Sequence, residues 1–294
     1  MVDPIKEAHT KFTHRPLNER VILNSVPKCG TMLLRNIVLM FTPWDEIHFP
    51  WPSAETFGQF EDVIRENKFK QFAGHIPHSP EASVFMRHFR HVLLIRDPID
   101  QVLSYARFYH ADHISEASDL SRYIRDHQLN FDEVVGLVIV GLHRYFTGVN
   151  EYFVKRAIAW FDSGCFIIKY EDLLHHVKNL HRPQAKTYFS RLLNHLNIDM
   201  PSDWRQRVAA GADRKISSTS PENVAGAINE RKELSPGNQA LFLATAPTLH
   251  EALGYDTEAA AKRLRRDPPF DGKRTSRWPR LWLPGRTKFS QRAA

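Results

Sequence analysis

The chain is poor in cysteine: Cys29 and Cys165 are its only two among 294 residues. Two thiols cannot build the disulfide framework of a small secreted domain, and they fit a reducing compartment. Long apolar runs are missing as well. No stretch of 18 or more apolar residues occurs, so no membrane-spanning helix is expected. The opening MVDPIKEAHTKF is too polar for a secretory signal, and a cytoplasmic protein is expected. A basic body is also absent, despite a net charge of +7. Residues 261–294 hold 11 Lys/Arg against two Asp, and residues 1–260 total −2. A nearly neutral body argues against a broad nucleic-acid surface, so no nucleic-acid partner is expected. The usual nucleotide loop, GxxxxGK followed by Ser or Thr, does not occur.

What is present is organised around Val21 to Phe41, VILNSVPKCGTMLLRNIVLMF. Val21, Ile22, Leu23 and Val26 read as a short buried strand. Pro27 cannot donate to a sheet ladder and should end it. Lys28-Cys29-Gly30-Thr31 then forms a tight turn. Leu33, Leu34, Ile37, Val38 and Phe41 recur at helical spacing and should bury one face of the next element. A strand, a glycine turn and a helix N-terminus aim free N–H groups and the positive end of a dipole at one point, which suits an anion. Lys28 adds a mobile cation.

On these residues the chain resembles a known family. PKCGTMLL is similar to the PKSGTTxL loop of sulfotransferases that use 3′-phosphoadenosine 5′-phosphosulfate (PAPS). The resemblance implies that Lys28, Cys29, Gly30, Thr31 and Met32 hold the 5′-phosphosulfate. A second motif follows at His91 to His110, HVLLIRDPIDQVLSYARFYH. Val92 to Ile95 is an uninterrupted apolar run, as in a central parallel strand. Asp97 suits an N-cap and Pro98 the first helical position. This stretch resembles the family's RDPxDxxxSxY segment, which implies that Arg96 and Ser104 bind the donor's 3′-phosphate. An Arg fork and a short hydroxyl are suitable donors to phosphate.

Between the two motifs, KQFAGHIPHSP reads as a short strand ending in a Pro-limited loop. His75-Ile76-Pro77 is similar to the family's GHxP segment, which makes His75 the implied catalytic base. Many members carry a Lys two residues earlier; Ala73 stands here. Farther on, Cys165 to Tyr170 reads as a buried strand and resembles, with Glu171, the YEDL element. That implies Tyr170 beside the adenine, with a core tyrosine as the alternative. The closing phosphate segment of the family, RKGxxGDWKN, is only loosely matched by SPENVAGAINERKEL. Arg214-Lys215 offers replacement cations.

Other stretches carry weaker readings. Residues 1–20 read as an irregular lead-in. FTPWDEIHFPWPSAETF reads as a lid or a packed surface loop, and Glu61 to Phe69 as a short polar helix. Ala111 to Phe153 reads as mainly helical with Val134 to Val140 buried. His110 and His113, with Asp112 between them, suggest a metal site, but no third ligand stands at convincing spacing, so no metal is expected. Ser235 to Tyr255 resembles the family's last core helix. The tail mixes cations with Trp278, Leu281, Trp282 and Leu283, which reads either as a peripheral anchor for anionic lipid or as a disordered basic tail.

The resemblance implies an α/β fold of three layers, with a central, mostly parallel sheet flanked by helices and P-loop-nucleoside-triphosphate-hydrolase-like. Residues 21–256 would form the domain and 257–294 the tail. The implied activity is sulfuryl transfer from PAPS to a hydroxyl of a carbohydrate, lipid or small molecule, with Lys28 and His75 catalytic. The rivals are a kinase-like nucleotide enzyme and a nucleotide-binding scaffold whose catalysis has lapsed.

Overall fold

The computed structural model describes residues 4–47, 69–111, 119–142, 146–216 and 233–264. Six strands are found among them: β1 Val21–Ser25, β2 Gln71–Gly74, β3 Arg90–Ile95, β4 Gly141–Leu142, β5 Phe146–Thr147 and β6 Phe166–Lys169. Four form one sheet in the order β2-β1-β3-β6, with every pairing parallel. β1 is buried throughout, and β3 is buried after Arg90, as continuous apolar runs require in a sheet covered on both faces. Parallel neighbours cannot be joined by tight turns, so helices carry the crossovers. The register sets Val21 against Gln71 on one side and Arg90 on the other. The loops after Ser25, Gly74 and Ile95 therefore leave the sheet side by side at the C-terminal ends of the strands, where open α/β sheets bind ligands.

The strand expected over Cys165 to Tyr170 is shorter and less buried than its composition predicts. It begins at Phe166, and Tyr170 opens a helix, Tyr170–Lys178. Only Ile168 is buried in it, at 2% exposure, while Ile167 is 39% exposed. The reason is position: β6 has one strand neighbour, β3, and lies at the sheet edge among the described residues.

Leu34, Ile37 and Val38 seat the Thr31–Leu39 helix in the core, and the Trp204–Gly211 helix packs across its back. A Cβ on Gly211 would stand 2.6 Å from the Ile37 Cα, so only glycine permits that approach. The lead-in is not irregular as expected. Pro4–His9 is helical, Ile5, His9 and Leu17 are buried, and buried Arg207 ties the segment down. Its guanidinium donates to the Thr13 carbonyl at 2.9 Å, the Met40 carbonyl at 2.7 Å and Asp203 Oδ1 at 2.7 Å. Those three acceptors belong to three separate segments.

Ala111 to Phe153 is helical over Asp119–Asp126, Phe131–Val140 and Val149–Arg156, but β4 and β5 form a small antiparallel hairpin between the last two. Gly141, at φ +91, stops the apolar helix. Val134, Val135, Val138 and Ile139 are buried, whereas Val140 is 53% exposed. The last core helix is two helices, Pro236–Thr245 and Leu249–Ala252, because Pro247 lacks the N–H that would continue the first. Packing also runs past residue 256: Thr257–Leu264 is a helix with Ala260 and Leu264 buried. Of the proposed lid, Trp44 lies edge-on to His9 at 5.4 Å, packed on the lead-in. His48, Phe49 and Trp51 lie outside the described residues, as do Glu61 to Lys68, Asn223 to Lys232 and the tail from Arg265. Among the described residues no helix is long and apolar enough to cross a membrane.

Candidate functional site

The first motif folds into a strained loop opening a helix. Lys28 adopts φ 69 and Gly30 φ 95, both left-handed. A non-glycine in that region costs on the order of 1–3 kcal/mol and persists where its surroundings hold it. Here they do. Arg96 Nη1 donates to the Lys28 carbonyl at 3.3 Å and Gln101 Nε2 to the Pro27 carbonyl at 3.1 Å. The Cys29 N–H donates to the Val26 carbonyl at 3.1 Å. With its thiol fully buried, and pushed up in pKa by that burial, Cys29 shapes the loop from inside. Gly30 is the N-cap of the Thr31–Leu39 helix and supplies no side-chain cap. The first intrahelical bond runs from the Leu34 N–H to the Gly30 carbonyl at 3.2 Å, so the N–H groups of Thr31, Met32 and Leu33 have no acceptor within the helix, the arrangement an anion fills.

Three cations converge on this loop. Burial, and then the Arg96 and Arg107 guanidiniums, pull the Lys28 ammonium down to about 8. Lys28 Nζ rests 4.0 Å from the centroid of the Phe108 ring. Arg107 is itself lowered by burial and by Arg96, with Asp100 opposing. Arg96 leaves β3 at the predicted boundary: Asp97 caps the Pro98–His110 helix, its carboxylate accepting from the Ile99 N–H at 2.9 Å and the Asp100 N–H at 3.1 Å. The Arg96 guanidinium stacks 4.6 Å from the Tyr170 ring, and its Nε is buried with no hydrogen-bond partner among the described residues. The same ring covers Gly30, where a Cβ would stand 2.7 Å from Tyr170 Cε2. Lys28, Gly30, Arg96 and Tyr170, from three separate sequence segments, thus meet. Ser104 lies half-buried two turns into the Pro98–His110 helix.

His75 follows β2 directly and is half-buried beside the end of β1. The loop it starts is clamped by fully buried Asn24. Asn24 Nδ2 donates to the Ile76 carbonyl at 3.0 Å, and its Oδ1 accepts from the Ile76 N–H at 2.8 Å. That pair continues the β1–β2 ladder by one side-chain rung. Trp160 Nε1 also donates to the Ile76 carbonyl, at 3.1 Å, and Arg156 donates to the His75 carbonyl. His75 Nδ1 stands 3.0 Å from the Ser25 carbonyl. A carbonyl only accepts, so Nδ1 carries the proton and Nε2 the lone pair. Burial lowers His75 to about 4; the Ser25 hydrogen bond opposes the shift, while Arg156 and Lys28 reinforce it. The imidazole is neutral at pH 7. His78 is different: its Nε2 lies 2.8 Å from Ser83 Oγ, and its ring stands edge-on to Trp160.

Arg107 and Arg156 were not expected from the motifs. Arg107 stands three residues beyond Ser104 on one helix face, a spacing visible in the sequence. Arg156 lies 81 residues from His75, and no local pattern announces it. Arg214 and Lys215 sit in an exposed turn, and Ala73 is buried in β2. His110 stands edge-on to Phe131, and its suggested companions Asp112 and His113 lie outside the described residues.

No family model matches the chain, and no curated protein matches it. Among solved structures, a mouse sulfotransferase, SULT7A1, crystallised in complex with PAP, aligns with a TM-score of 0.55. The match covers 88% of this chain and 94% of that one at 16% sequence identity. At that identity the likeness is one of fold: this chain shares the α/β architecture of that sulfotransferase, with a central parallel sheet flanked by helices.

Proposed function

We propose that the chain is a transferase that moves a sulfuryl group from PAPS to the hydroxyl of a carbohydrate, lipid or small molecule. One observation carries the reading. Lys28, Arg96 and Arg107 gather at one loop near a neutral imidazole, and no carboxylate pairs with Lys28 or Arg96 among the described residues. Like charges held together repel one another, and a multiply charged anion offsets that repulsion. Arg96 and Ser104 would hold the 3′-phosphate, and the buried Arg96 Nε, which has no hydrogen-bond partner among the described residues, supports that fit. Lys28 and the N–H groups of Gly30, Thr31 and Met32 would hold the 5′ end, with Tyr170 beside the base. Arg107 would add the cation that Ala73 does not provide.

Bound there, the donor would supply the sulfuryl group and leave as 3′,5′-bisphosphate. His75 takes the proton of the acceptor hydroxyl at Nε2, because Nδ1 is committed to Ser25. Lys28 neutralises charge that develops on the bridging oxygen. A sulfuryl group carries less charge than a phosphoryl group, so one ammonium and backbone donors can meet it.

The test is a screen of labelled PAPS against carbohydrate, lipid and phenolic hydroxyls, paired with calorimetry of 3′,5′-bisphosphate. Transfer to at least one class supports the reading. Tight bisphosphate binding with no transfer to any class would favour the lapsed scaffold, and Mg²⁺-dependent ATP hydrolysis the kinase-like enzyme. Arg96→Ala should weaken the bisphosphate by about 1.5–3 kcal/mol, the worth of a charge-assisted pair. Its 3′-dephospho analogue should be weakened less.

A further inference from the structure

The side chain that joins the anion loop to the base belongs to neither motif. Ser25 ends β1 and is 1% exposed. Its carbonyl lies 3.0 Å and its Oγ 3.1 Å from the same atom, His75 Nδ1. Its Oγ also meets Thr31 Oγ1 at 2.5 Å, and Thr31 is the first residue of the helix whose N–H groups open the anion cradle.

The direction of these bonds follows from counting protons. The carbonyl accepts, so the Nδ1 proton points at Ser25, and Ser25 Oγ can only accept from that nitrogen. Of the two directions open to the Ser25–Thr31 contact, donation from Ser25 Oγ to Thr31 Oγ1 is the one that gives the buried Ser25 proton an acceptor. Thr31 Oγ1 is thereby an acceptor on its inner side, and its own proton is left for a group beyond these residues. The line has one polarity: Nδ1–H to Ser25, Ser25 O–H to Thr31, and Thr31 O–H outward to an acceptor such as a phosphate oxygen. At its other end the imidazole presents the Nε2 lone pair.

We infer that Ser25 is a positioning residue: its carbonyl fixes the tautomer of the base, and its hydroxyl, through the line Thr31 Oγ1–Ser25 Oγ–His75 Nδ1, links the base to occupancy of the anion loop. The inference rests on the reading of His75 as base and of the loop as the anion site. An anion that takes the Thr31 proton reinforces each bond behind it, because hydrogen bonds in a buried chain polarise one another. Three side chains, each modest alone, thus tie the base to the donor end of the site.

The experiment uses the full chain labelled with ¹⁵N-histidine and titrated with 3′,5′-bisphosphate. In the wild type, His75 should read as the Nδ1–H tautomer and its nitrogen signals should move as the bisphosphate binds. Ser25→Ala keeps the carbonyl and removes one buried oxygen. Its His75 signals should no longer follow the bisphosphate, although affinity stays within about 3-fold and kcat falls about 10-fold, the scale of one lost buried hydrogen bond. Ser25→Thr, which restores a hydroxyl, should restore both. A wild type that takes up no bisphosphate would overturn the underlying reading and this inference with it. A wild type that binds, with His75 responding equally in Ser25→Ala, would overturn the inference alone.

Discussion

At the scale of single residues, the site separates two histidines that stand three positions apart in one loop. His75 is held by its Nδ1 against the end of β1, while His78 spends its Nε2 on Ser83. Removing a general base typically costs roughly 10²–10⁴-fold in rate. His75→Ala should therefore lose kcat on that scale with bisphosphate affinity intact, and His78→Ala should stay within a few-fold. A large loss at His78 with a mild one at His75 would reverse the assignment. The titrations add a pH profile. His75, lowered to about 4, gains a proton and loses its lone pair as pH falls through that value. Lys28, lowered to about 8, loses its charge as pH rises through that value. The kcat/KM of the free enzyme should then show limbs near those two values with a plateau between. Lys28→Arg keeps its charge throughout, so its alkaline limb should vanish. Persistence of that limb would place its origin in another group.

Elements meet where glycine removes a side chain. The Trp204–Gly211 helix crosses the Thr31–Leu39 helix at Gly211, and the second of these helices starts at the Lys28–Gly30 loop. A methyl group at that crossing has nowhere to go, since the atoms it meets are the backbone of Asn36 and Ile37. Overpacking of this kind typically costs about 1–3 kcal/mol. Gly211→Ala should lower the urea midpoint accordingly, with the slope of the transition unchanged. Wild-type stability in that variant would mean that the two helices slide apart at no cost. The crossing also explains part of what the sequence concealed. Gly211 in isolation reads as an ordinary helix breaker, and only its contact with a helix 170-odd residues earlier, about the distance from Gly211 back to Ile37, gives it a purpose.

For the molecule as a whole, buried histidines make acid the vulnerable side. His91, in β3, is 5% exposed, and neither ring nitrogen has a hydrogen-bond partner among the described residues. Burial lowers it to about 3, with His195 adding to the shift, and His75 is lowered to about 4. Both would titrate near 6.5 in the unfolded chain. Below that pH the unfolded state takes up protons that the fold excludes. Their contribution to stability is complete above about 6.5 and is lost as pH falls toward the folded values, at up to about 1.4 kcal/mol per pH unit for each group. Urea unfolding should show this decline between about pH 7 and pH 4.5, and His91→Leu should make it shallower. Equal slopes in the two proteins would trace the acid sensitivity elsewhere.

The local signals determined a good deal on their own. Two apolar runs, each followed by a turn and a helical period, were enough for β1, β3, their helices and the Asp97 cap, because burial patterns and capping act over a few residues. Lys28 was legible from its loop alone, whereas His75 and Arg96 became candidates through the resemblance of their segments to the sulfotransferase family. Composition misjudged β6, whose apolar residues look central but lie at an edge, and it missed the helix in the lead-in, which is held by Arg207 from far along the chain. The meeting of these candidate residues was decided only by the tertiary structure. Parallel register brings the ends of β1, β2 and β3 together, and with them Ser25, His75 and Arg96. Arg156 reaches His75 from 81 residues away, and Tyr170 closes over Gly30 from 140 positions along the chain. Such pairings depend on which strands become neighbours, a property of the folded sheet that no short stretch of sequence carries.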